Sequence, residues 1–103
     1  YSKSMFEYWT EDDFASSFRK MLTIEQFRSE EMQKLYQQYL VSGPASYVKD
    51  LFESMGMIDA KEKADRFYAV MYFYYSIYDG TDDKERVKEE FVSVVNSMVQ
   101  ELM

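Results

Sequence analysis

The chain contains no cysteine and no histidine, and only one proline and three glycines in 103 residues. Without cysteine there is no disulfide framework and no thiolate nucleophile. Without histidine the commonest general base and the usual zinc ligand sets are missing as well. Catalysis would have to rest on carboxylates, and none of these stands in a recognisable motif, so an enzyme is not expected. No glycine-rich phosphate loop occurs, and no cofactor is expected. The acids from Asp79 to Glu90 have the spacing of a calcium loop, but Lys84 stands where the loop's glycine belongs and Thr81 replaces an acid, so a helix-joining turn is the expectation there. Positive charge is scarce too. Twelve Lys and Arg against nineteen Asp and Glu leave a net charge of −7, the wrong sign for a surface that neutralises phosphates. No uninterrupted apolar run approaches the ~20 residues that a membrane span needs, and the first residues do not read as a signal peptide. A soluble, cytoplasmic chain without a membrane partner is expected. Its start at Tyr1 and not at Met suggests a fragment.

What the chain does have is apolar surface. Hydrophobic residues make up 47% and aromatic residues 18%, more than a single domain of this size needs for one thin helical layer, and the surplus asks for a partner or a ligand. Spacings of three and four recur while strict alternation is rare, which predicts an all-α fold, an antiparallel bundle of four to five helices forming one domain over residues 1–103. Residues 1–9 are aromatic but aperiodic and read as a lead-in. Thr10 with Asp13 resembles a capping box, and a first helix is expected from about Glu11 to Arg28. Its inward stripe would be Phe14, Phe18, Met21 and Leu22, flanked by Ile24 and Phe27. Ser29 is placed to cap a second helix, striped by Met32, Leu35, Tyr36, Tyr39 and Leu40. Gly43-Pro44 interrupts it, as either a kink or a break, because proline removes the bond to the carbonyl of Leu40. Gly56 is expected in a left-handed cap.

Asp59 and Glu62 form a second capping-box pattern ahead of Ala60 to Asp79, a segment apolar on more than one face. Phe67, Met71, Tyr75 and Tyr78 make one stripe; Val70, Phe73, Tyr74 and Ile77 make another. Such a helix must be covered on nearly all sides. Gly80 ends it, and Thr81-Asp82-Asp83 restarts a last helix to Leu102, with Val87, Phe91, Val94, Met98 and Leu102 on one seam and Val92, Val95 and Val99 on the next.

The run FRKMLTIEQFRSEEMQKLYQQY from Phe18 to Tyr39, followed by a glycine-stopped helix, an aromatic-rich helix and a valine-rich terminal helix, resembles the C-terminal effector domain of TetR-type transcriptional regulators. The resemblance covers essentially the whole chain, without the helix-turn-helix head that carries the family's diagnostic motif. It implies a ligand-sensing, repressor-type domain whose last two helices pair with their symmetry mates into a four-helix dimer interface. Val70, Phe73, Tyr74, Ile77, Val92, Val95 and Val99 would lie at that interface. DNA would be bound only through the missing head. The alternative is a helical protein-interaction module with no ligand cavity.

Ten tyrosines and eight methionines suit a cavity for a small lipophilic or aromatic effector, since tyrosine joins an apolar ring to a polar tip and methionine adapts to irregular shapes. Candidate lining residues are Phe18, Leu22, Tyr36, Tyr39, Tyr47, Phe52, Tyr68 and Tyr72, although for any one of them ordinary core is the more frequent role of an aromatic or apolar residue at helical spacing. Glu25 falls in phase with the stripe of the first helix. It is either a counter-ion for a cationic ligand or, more ordinarily, a carboxylate that is solvated at the stripe's edge or paired with a neighbouring arginine.

Overall fold

The computed structural model describes residues 2–102; Tyr1, included in the lead-in above, lies outside the described residues. The described residues form an all-helical bundle with no strand. In chain order the elements are α1 (Ser2–Glu11), α2 (Asp13–Glu25), α3 (Glu30–Tyr36), a π turn (Gln37–Val41), α4 (Ser42–Ser54), α5 (Ala60–Gly80) and α6 (Lys84–Leu102).

The lead-in is a helix, and it supplies the centre of the core. Phe6 is fully buried, stacked on Phe91 at 4.3 Å and on Tyr75 at 5.6 Å, with the edge of Tyr78 at 5.6 Å. Burial of one such ring contributes about 2–3 kcal/mol, and the ring pairs add their own electrostatic preference. Four aromatic residues from α1, α5 and α6 thus meet at one point. Nearer the N-terminal end of α5, Phe52 of α4 packs edge-on against Phe67 at 5.7 Å. A smaller cluster of Leu22, Tyr36 and Leu40 joins α2, α3 and the π turn, and Trp9 and Tyr72 pack against both clusters.

The helix ends are set by local chemistry. Asp12, and not Thr10, caps α2: its Oδ1 accepts from the amide of Ala15 at 2.9 Å, while the Thr10 hydroxyl turns back to the Phe6 carbonyl at 2.6 Å. Ser29 caps α3 as its position suggests, accepting from the amide of Met32 at 3.1 Å. Gly56 has φ +79°, the left-handed stop expected of it. Asp59 does not cap α5 with its side chain; it is itself left-handed, at φ 55°. Lys84 reaches back to the carbonyls of Tyr78 (2.6 Å) and Thr81 (3.0 Å), where a cation favours the C-terminal end of α5. Two acids of this turn are occupied structurally: Asp83 accepts from the amide of Arg86, and Asp79 holds Arg19.

Of the apolar stripe expected to face inward from α2, Leu22 is buried and Phe18 half-buried, but Phe14 and the flanking Ile24 and Phe27 face outward. Phe14, Ile24 and Phe27 are 76%, 73% and 83% exposed, and Phe14 stacks on Phe18 at the surface. The buried side consists of Ala15, Ser16, Arg19 and Leu22. Arg19 explains the rotation. Its guanidinium makes two parallel bonds to Asp79 (2.9 and 2.7 Å), its Nε donates to the Trp9 carbonyl at 3.0 Å, and the ring of Tyr75 lies 5.1 Å away. Turning the phenylalanines inward would take this arginine from all three partners. Ala15 and Ser16 are small enough to let α2 lie close to α1.

The result is a slab of 39 × 34 × 17 Å with a radius of gyration of 14.2 Å, larger than the ~13 Å of a spherical domain of about 100 residues. A body this thin leaves apolar side chains on its faces.

Candidate ligand groove and outward face of α5

The chain passes Gly43-Pro44 without breaking, through the π turn. The amide of Ser42 bonds to the carbonyl of Gln37, five residues back, and Val41 leaves helical geometry at φ −126°, ψ −80°. Glycine is required at position 43, because a Cβ there would sit 1.9 Å from the Gln38 carbonyl oxygen. Pro44 is accommodated in the first turn of α4. The carbonyl of Leu40, deprived of an amide by the proline, accepts a hydrogen bond from the hydroxyl of Tyr68 on α5.

Beside this turn lies a groove of about 820 Å³, open to solvent and walled by α3, the π turn and α4 on one side and α5 on the other. Its volume falls in the range of small-molecule sites. The groove exists because facing positions are small. Ser42, Ala45 and Ser46 line it from α4 and Ala69 from α5, with Val41, Gln37, Tyr36, Tyr68 and Tyr72 completing the walls and Lys49, Lys61 and Asp65 at its edge. Positions 42, 45, 46 and 49 share one helical face, as do 65, 68, 69 and 72. The hydroxyls of Tyr36 and Tyr72 hydrogen-bond to each other. At the edge Lys61 pairs with Asp65 at 2.8 Å, a bond that raises its pKa, and Lys49 lies 3.5 Å from Glu53 and 3.8 Å from Asp50.

Three candidates named from the sequence, Tyr36, Tyr68 and Tyr72, come together in this groove. Leu22 is buried in the smaller cluster. Phe52 is core, against Phe67. Phe18 and Tyr39 pack edge-on at 5.4 Å outside the groove, and Tyr47 is an exposed residue that does not line it. Glu25 is paired with Arg28 at 3.1 Å and does not line it either. The small residues of the walls were missed; their three- and four-residue spacing was the available signal.

The residues expected at a dimer interface divide. Tyr74 and Val95 are buried in the chain's own core, the Tyr74 hydroxyl donating to Glu90 at 3.0 Å and its ring against Phe91 at 5.6 Å. Val92 and Val99 border a cleft beside Ser2 and Lys3 of α1. Phe73 is 59% exposed and does not line the groove, while Val70 and Ile77 beside it are half-buried and pack against the edge of the core.

No helix among the described residues is long and apolar enough to cross a membrane. Comparison of the chain with protein-family models, with curated proteins and with solved structures finds no significant match.

Proposed function

We propose that the chain is the ligand-sensing and dimerising domain of a TetR-like transcriptional regulator, which takes a small apolar or aromatic effector in the groove and pairs with a second copy through α5. The observation that carries the reading is the threefold use of α5. One side (Phe67, Met71, Tyr75, Tyr78) is core, a second (Asp65, Tyr68, Ala69, Tyr72) lines the groove, and on a third Phe73 reaches solvent between half-buried Val70 and Ile77. A helix that touches both a ligand and a symmetry mate can couple one to the other, provided that the ligand prefers one of two arrangements. DNA binding would belong to a separate head, since the negative net charge of this chain opposes it.

Sedimentation equilibrium at low micromolar concentration tests the pairing. The expected result is a dimer that Phe73→Asp converts to a folded monomer. Val95 is unsuitable for such a test, because an acid there would enter the core. A folded wild-type monomer at every concentration would overturn the dimer reading. The outward stripe of α2 favours a second reading, a helical module that docks a partner protein. A dimer broken by Ile24→Asp and untouched by Phe73→Asp would favour that surface instead.

A further inference from the structure

Two phenol hydroxyls that meet have two protons between them, and only one can lie on the line joining their oxygens. Tyr36 and Tyr72 meet in this way at the groove. Whichever donates to the other, the second proton remains, and among the described residues no further acceptor engages either hydroxyl. The third tyrosine differs, because the Leu40 carbonyl uses its proton. Solvent can take the surplus proton while the groove is open. A ligand that displaces that solvent must bring an acceptor of its own or leave a half-buried donor unpaired.

The walls set the rest of the ligand. Val41, Ala45 and Ala69 are apolar and short, and the aromatic rings of Tyr36, Tyr68 and Tyr72 complete the wall, which favours a flat apolar body. The edge does not favour a charged one. Lys49 and Lys61 both have carboxylates within ion-pair distance, so an incoming anion would compete with Asp65, Glu53 and Asp50. We propose that the groove takes a flat, neutral molecule bearing a carbonyl oxygen, which accepts the surplus proton of the Tyr36–Tyr72 pair. The proposal rests on the reading of the groove as a ligand site and deepens it to a ligand class.

The test is an NMR titration of the full chain with 2-acetylnaphthalene, 2-isopropylnaphthalene and 2-naphthoate. The first two share size and shape and differ in the carbonyl. The ketone is expected to bind roughly 5-fold more tightly than the hydrocarbon, the effect of one neutral hydrogen bond, and more tightly than the carboxylate. Tyr36→Phe and Tyr72→Phe should each keep the preference, because the remaining hydroxyl is then free to donate to the ligand. The double variant should lose it. Equal binding of ketone and hydrocarbon by the wild type, or a preference that survives in the double variant, would overturn the proposal and leave the groove a ligand site. Tighter binding of naphthoate would overturn the neutral class. Binding of none of the three would overturn the proposal and count against the sensing reading itself.

Discussion

Tyr68 donates its hydroxyl proton to the carbonyl of Leu40, the acceptor that Pro44 leaves without a helical amide. A side chain of α5 therefore completes the backbone of the α3–α4 path. Tyr68→Phe should strand a buried carbonyl and lower stability by about 1–3 kcal/mol in urea unfolding. In a Pro44→Ala background, where an amide is restored, the same change should cost less. Equal costs in both backgrounds would mean that the hydroxyl does not substitute for the missing amide.

Gly43→Ala would drive a Cβ to 1.9 Å from the Gln38 carbonyl, so the π turn must rearrange or the helix shift. A loss of about 1–3 kcal/mol is expected, with amide chemical-shift changes concentrated at Gln37–Val41. Changes spread evenly over α4 and α5 would contradict a local clash.

Arg19 is 7% exposed and Asp79 27% exposed at the side chain. Arg19→Met removes one partner of the pair and should cost about 3 kcal/mol, the low end for a buried pair because Asp79 retains some water. Pairing it with Asp79→Leu should recover much of the loss. Failure of the double change to recover stability would show that the arginine's bond to Trp9 matters more than its charge pairing.

Contacts with Glu11 and then Glu7 push the Lys88 pKa well above its ordinary value. A raised lysine pKa contributes stability that is complete below the unfolded value, about 10.4, and lost as pH rises through the folded one. Burial, followed by the Glu90 bond in Tyr74 and the charge of Glu11 in Tyr78, raises both phenols, so the unfolded chain sheds those protons first. Stability in urea should therefore decline above about pH 10, and the deficit of Lys88→Met should be constant from neutral pH to about 9 and shrink beyond it. A deficit that shrinks between pH 6 and 8 would point to other groups.

Phe6→Ala should cost about 3–5 kcal/mol, as for a buried ring with no room to relax. Phe14→Ala, on the exposed side of α2, should stay within about 0.5 kcal/mol. Comparable losses from the two would place α2 the other way round.

These last two residues mark where sequence reading stopped. Periodicity identified the core stripe of α5, the Ser29 cap, the Gly56 stop and the carbonyl that Pro44 frees, because each depends on neighbours within a turn or two. It grouped Phe14, Phe18, Met21 and Leu22 as one inward stripe of α2, of which Leu22 alone is fully buried while Phe14 faces outward. The choice is made by Arg19 and Asp79, sixty positions apart. Phe6 was missed for the same reason, since its partners are Tyr75, Tyr78 and Phe91. In the groove, tyrosines drew attention by their chemistry. Ser42, Ala45, Ser46 and Ala69 shape it by being small.

Tyr72 and Phe73 are consecutive, yet one lines the groove and the other faces outward. α5 is a single unbroken shaft of 21 residues, roughly 30 Å long at about 1.5 Å per residue. Rolling such a shaft by about ten degrees carries the tips of its side chains, some 5–6 Å from its axis, through about 1 Å on every side at once. Tyr72 and Phe73 are thus geared together: neither can be turned about the helix axis without turning the other.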